Sequence, residues 1–144
     1  MKKSKSGNLH FIKLDKGEEI IGTITDFASQ TGIKSGFMTG IGVIKDIELG
    51  YFDVEKAKYD IKKMEGDFEL LSLMGNIGIT DGNPSPHIHV VLGDNKFHCF
   101  GGHLLKGHVG VTCELVLAAT DMKLERVYDH DTKLKLLTPI REGN

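Results

Sequence analysis

The stretch "PHIHVVLGDNKFHCFGGHLL", residues 86–105, reads as two strands joined by a Gly-Asp-Asn turn, and its register decides both the fold and the site. It holds four of the chain's seven histidines, His87, His89, His98 and His103. Residues i and i+2 of a strand point to one face, so His87 and His89 project together, about 7 Å apart along the strand. A three-residue loop, Asp94–Asn95–Lys96, pairs Gly93 with Phe97, His89 with Gly101 and His87 with His103. Directly opposed residues share a face, so His87, His89 and His103 converge in that register. A two-residue loop would put His103 on the other face unless a bulge at Gly101–Gly102 restored it. Gly101 opposite His89 would leave an ion room to approach. His98 falls on the opposite face, and His10, His108 and His130 read as ordinary surface or half-buried residues.

Outward from the hairpin, the remaining chain reads mostly as strands. "NLHFIKLD" (8–15) alternates apolar and polar residues. "DKGEEIIGTITDFASQTGI" then changes to helical period, and the spacing predicts a helix over about 16–31. Its apolar face is Ile20, Ile24, Phe27 and Ala28, its start an Asp15/Glu18 capping box, and its stop Gly32. "TGIGVIKDIELGYFD" is a long strand. Its glycines are not a phosphate loop, because no P-loop Lys-Ser/Thr and no helical pattern follow. "KYDIKKMEGDFELLSLMGNIGIT" reads as two strands around Glu65–Gly66–Asp67, and "DGNPSP" as a loop. "GHVGVTCELVLAATD" is a further strand, and "LERVYDHDTKLKLLT" closes the sheet. One helix and many sequential strands imply a single α+β domain over 1–144, with a largely antiparallel sheet.

Composition agrees with a soluble globular chain: 40% of residues are apolar and 26% charged. A formal net charge of −2 offers no general attraction for nucleic-acid phosphates. The one dense basic run, "MKKSK", reads as a flexible, solvated tail over 1–7. Cys99 and Cys113 lie in apolar runs and read as core thiols of a reducing compartment. No apolar run reaches the roughly 18 residues of a membrane span, and no signal-peptide pattern opens the chain. These features point to the cytoplasm.

Three histidines with an open fourth position suit catalytic better than structural zinc. The competing reading makes them polar sheet-face residues satisfied by hydrogen bonds. Cys99 shares their face but lies too far along for a good fourth ligand. Glu69, Asp81, Asp94 and Glu114 are the carboxylates available as general acid or base. Glu114, inside "VTCELVLA", reads as a strand-edge residue or as a polar group at a site or subunit interface.

"HIHVVLGD" followed by "FGGHLLKGHVGVTCELVL" resembles the plants-and-prokaryotes-conserved domain, which stands beside AT-hooks in plant nuclear proteins. "LDKGEEIIGTITDFASQTGIKSGFMTGIGVIKDIEL" and "GDFELLSLMGNIG" match in the same order, over about residues 9–128. The resemblance implies an α+β fold, a homotrimer, and, from similar prokaryotic members, a metal held by His87, His89 and His103. Zn²⁺ is the expected ion, since imidazole suits zinc, with other divalent transition metals as alternatives. The family also carries a DNA-binding label, although this chain has no Arg-Gly-Arg core. Three functions therefore stand at this point. One is a zinc-binding homotrimer with a small molecule or anion at the metal. Another is a DNA-binding or regulatory protein. The last is a zinc-dependent hydrolase or decarboxylase-like lyase, since acetolactate decarboxylases hold zinc with a similar histidine pattern.

Overall fold

The computed structural model describes residues 1–140. The elements are β1 (Lys2–Ser6), β2 (Leu9–Asp15), α1 (Ile20–Thr31), β3 (Ser35–Asp53), β4 (Lys58–Thr80), β5 (Asn83–Gly93), β6 (Cys99–Thr120), β7 (Leu124–Tyr128) and β8 (Lys135–Pro139). They form one sheet in the order β1-β2-β6-β3-β4-β7-β8. Strand β5 pairs with both β4 and β6. Strands β3, β4, β5 and β6 therefore close a cycle of pairings, which ties the histidine hairpin into the centre of the molecule. Every pairing is antiparallel except the short contact of β7 with β4 at Ile79–Glu125. The architecture is thus mostly β, with one helix, as expected in outline.

Helix α1 buries Ile20, Ile24, Phe27 and Ala28, the face its period predicts. It packs on β5 and β6, against a core that includes Ile12, Leu14, Ile44, Leu73, Ile88, Leu92, Leu115 and Leu117. The stop is as expected. Gly32 takes φ 70°, and the Ile33 N–H donates to Ala28 O at 2.9 Å. A left-handed residue there closes the last turn, and glycine adopts it without steric cost. The start lies four residues later than 16. Residues 17–19 are drawn into the sheet: Gly17 N donates to Val109 O and Val109 N to Glu18 O. Glu19 caps the helix instead, accepting from the Ile21 and Gly22 amides at 3.2 and 2.6 Å. Only part of the predicted capping box survives, as a 2.7 Å bond from Asp15 N to Glu18 Oε2.

Four further expectations change. Residues 1–7 are not a loose tail, because β1 pairs with β2 along its whole length and the Met1 ammonium is held by Asp15 and Glu18 at 2.6 and 3.1 Å. Residues 58–80 form one strand and not two. The expected turn is a bulge, with Gly66 (φ 93°) opposite Asp46 (φ 50°) and the ladder resuming on either side. "DGNPSP" contracts to a tight turn at Asp81–Gly82, and Asn83 already pairs with Thr80. "FGGHLL" and "GHVGVTCELVLAATD" are likewise one strand, β6, whose register shifts absorb the Lys106–His108 stretch. Local turn formers could not reveal that long neighbouring strands would carry the ladder through them. No helix among the described residues is long and apolar enough to cross a membrane.

Candidate metal centre

Alternation along β5 positions the site. Ile88, Val90 and Leu92 point into the core beneath α1, so His87 and His89 point to the opposite face of the sheet. The turn between β5 and β6 has five residues, Asp94–His98, and not three. The Asp94 carboxylate sets it, accepting from the amides of Lys96 and His98 at 2.8 and 2.9 Å, while Phe97 takes φ 63°. Gly93 therefore pairs with Cys99, and the register lies two residues from the expected one. A shift of two preserves the faces. His103 now stands opposite His89 instead of His87, and Gly101 stands opposite Val91. His98 belongs to the turn, its Nδ1 3.1 Å from Asp94 Oδ2.

The three imidazoles converge. Ring centroids are 5.0 Å apart for His87–His89, 4.8 Å for His87–His103 and 5.4 Å for His89–His103. One ring nitrogen from each lies within 4.8 Å of the other two. The Nε2 atoms of His87 and His89 are 3.1 Å apart. Two nitrogens bound to one zinc at about 2.0–2.1 Å and a tetrahedral angle stand roughly 3.3 Å apart. That pair is already spaced as two ligands. His103 Nδ1 is buried without a hydrogen-bond partner, which leaves a nitrogen with no role in the protein's own bonding. The residues present therefore fit a bound transition metal ion. No carboxylate or cysteine joins this cluster among the described residues.

Burial readies two of the rings, His87 and His103, as ligands. His87 is held down at about 4 by desolvation first, then by His103, Arg126 and His89. His103 is lowered by the same kinds of cause, desolvation leading. Neutral imidazole is the form that binds metal, so protons compete weakly here.

Two neighbours escaped the sequence reading. Tyr59 on β4 lies against His103, with ring centroids 5.4 Å apart and planes at 30°. Gly50, paired with His103 on β3, permits this, since a Cβ there would sit 2.7 Å from Tyr59 Cδ1. Arg126 reaches the site from β7, and its Nη2 donates to Asn76 Oδ1, the residue paired with His87. Tyr59, Ser85, Pro86, His87, His103, Arg126 and Leu134–Leu137 line one cavity of about 520 Å³. No short-range spacing links Tyr59 or Arg126 to the histidines, so only the folded sheet reveals them.

The four candidate carboxylates do not gather at the histidines. Asp81 pairs with Lys135, and Asp94 is bound within its own turn. Glu69 pairs with Gly93, beyond His89 at the end of β5. Glu114 lies at the far end of β6 from His103, between Lys13 and Ile41 on an interior strand of the sheet. Cys113 is buried as expected and its thiol is pushed up to about 12 by desolvation. Cys99 is exposed, because it opens β6 beside the turn. His10 is buried against Phe27, 5.5 Å between centroids.

A sequence profile of the Plants and Prokaryotes Conserved domain matches residues 1–121. That span includes the N-terminal strand and ends with β6. A plant- and prokaryote-conserved protein from Pyrococcus horikoshii is similar at 34% identity, with a TM-score of 0.85 and 94% of each chain covered. A metal-containing protein from Archaeoglobus fulgidus is similar at 33% identity and TM-score 0.85, covering 93% of this chain and 95% of that one. A candidate DNA-binding protein from Bacteroides thetaiotaomicron is similar at 27% identity and TM-score 0.91, with 95% and 96% covered. No curated protein sequence matches the chain.

Proposed function

The chain belongs to the Plants and Prokaryotes Conserved domain family, and on that premise we propose that it is a homotrimeric zinc-binding protein whose ion is held by His87, His89 and His103. The observation that carries this reading is the convergence of three imidazoles, one ring nitrogen of each within 4.8 Å of the others. The metal in the Archaeoglobus relative supports it. Zinc supplies Lewis acidity at an open coordination position when bound.

Assembly is supported by the face on which the histidines lie. One cross-strand row runs Phe11, Val116, Thr39, Met74, His89; the next runs Leu9, Ala118, Phe37, Asn76, His87. Leu9, Phe11, Phe37, Ile41 and Met74 on this face are each close to half exposed or more. An apolar sheet face of this extent is a hallmark of a protein interface, and copies of the same chain are its natural occupants.

The decisive experiment is elemental analysis of untagged protein beside a His87→Ala/His89→Ala variant. Near-stoichiometric zinc that disappears in the variant is expected. Absence of metal from both, with none taken up from added zinc, refutes the reading. Sedimentation at several concentrations tests the trimer separately.

DNA binding is the second reading, supported by the naming of the Bacteroides relative. The net charge of −2 and the location of the histidines on an apolar face weigh against it. Zinc-dependent catalysis is the third. No carboxylate among the described residues stands with the histidines to move a proton, which places binding ahead of turnover.

A further inference from the structure

Arg126 is the one charged side chain that shares the cavity with His87 and His103 and lacks a carboxylate partner among the described residues. The cavity's other cation, Lys135, is paired with Asp81 at 2.6 Å. The guanidinium is half-buried, spends one donor on the neutral Asn76 oxygen, and acts electrostatically on both His87 and His103. Burial without an opposite charge disfavours its ionised form. A charge is seldom kept half-buried and unpaired unless something else completes it.

The metal reading, on which this inference rests, sharpens the problem. Three neutral imidazoles leave the charge of a divalent ion uncompensated. With Arg126 beside them, the pocket would hold two like-signed centres and no counter-charge from the described residues of the chain. An anionic ligand that enters the cavity supplies the missing charge to both centres at once.

From this we infer that the cavity between the histidines and the β7–β8 hairpin binds a small organic acid. Its carboxylate pairs with Arg126, and an oxygen on the adjacent carbon faces the metal position. The planar guanidinium fork matches a carboxylate with two parallel hydrogen bonds. The walls choose the rest of the molecule. Leu134, Leu136, Leu137 and Pro86 flank the polar groups, so the acid has an apolar body. An inorganic phosphate would place its unsatisfied oxygens against those leucines. The oxo or hydroxy group next to the carboxylate gives the acid two points of attachment, one to the arginine and one to the ion.

The probe is 2-oxo-4-methylpentanoate, titrated calorimetrically into zinc-loaded protein, with 4-methylpentanoate and inorganic phosphate as comparisons. Wild type should bind the oxo acid most tightly. Arg126→Gln should weaken it about tenfold or more, since a charge-assisted bond is lost while the Asn76 contact can be kept. Arg126→Lys, which keeps the charge but not the fork, should fall between. Zinc content, measured on every sample before titration, should be unchanged or higher in both variants. Zinc-loaded wild type that ignores the oxo acid overturns the inference alone. So does equal affinity in wild type and Arg126→Gln, or preference for phosphate. Loss of zinc from the variants makes Arg126 a support of the histidines and also overturns it. Protein that never loads zinc overturns the metal reading, and this inference with it.

Discussion

Replacing His89 with alanine separates the metal from the fold. His89 is exposed on the outer sheet face, and its side-chain contacts are with the other two histidines, 3.1 Å to His87 Nε2 and 5.4 Å between ring centroids to His103. Loss of an exposed side chain of this kind changes stability by at most about 0.5 kcal/mol, so the metal-free proteins should melt together. Zinc at a hundred times its dissociation constant should stabilise wild type by about 2.7 kcal/mol. In a chain of 144 residues that raises Tm by roughly 5–11 °C, at about 2–4 °C per kcal/mol. If removing one of three ligands weakens zinc about a hundredfold, the same zinc concentration only equals the variant's dissociation constant. The gain is then RT ln 2, about 0.4 kcal/mol, or roughly 1–2 °C. The assay is calorimetric melting with and without zinc at one fixed protein concentration, because assembly also shifts Tm. His130→Ala is the control. His130 packs on Tyr128 outside the cluster and should keep the full shift. A His89→Ala protein that gains as much from zinc as wild type would refute the three-histidine site. A wild type that gains nothing would refute zinc itself.

Gly101→Ala should strike the hairpin directly: a Cβ there would lie 2.2 Å from Val90 O, so β6 must move off β5 beside the His89–His103 pair. A loss of about 1–3 kcal/mol in a denaturant melt, with weaker zinc uptake, is the expected result; unchanged stability would show that the close β5–β6 approach is wrong. Asp15 titrates near 2, held down first by Lys13 and then by the terminal ammonium. The unfolded chain takes up that proton near 3.9, the folded chain only near 2, so this contribution is present above about pH 4 and fades as pH falls toward 2. Asp15→Asn should flatten the acid limb of the stability curve, and an unaltered limb would show that the pairing contributes nothing.

Much of the site was legible because strand geometry is local. The His-x-His spacing alone puts His87 and His89 on one face, and any hairpin loop with an odd number of residues brings His103 to that face. The error in loop length, three residues against five, therefore moved the partner of His103 without moving the histidines apart. The helix face Ile20, Ile24, Phe27, Ala28 was readable for the same reason, since its period is a property of consecutive residues. Where the reading failed, distant chain intervened. The helix start was delayed because Val109 captures residues 17–18, and the expected turn at 65–67 became a bulge because β3 pairs on both sides of it.

Sequence by itself determined that this is a sheet protein with one amphipathic helix, and that three histidines can share one face. Tertiary structure decided what else stands in that place. Tyr59 reaches His103 because Gly50 lets it close, and Arg126 arrives through β7, the parallel neighbour of β4. Those meetings depend on pairings between residues far apart in the chain, and pairings of that range leave no period for a sequence to display.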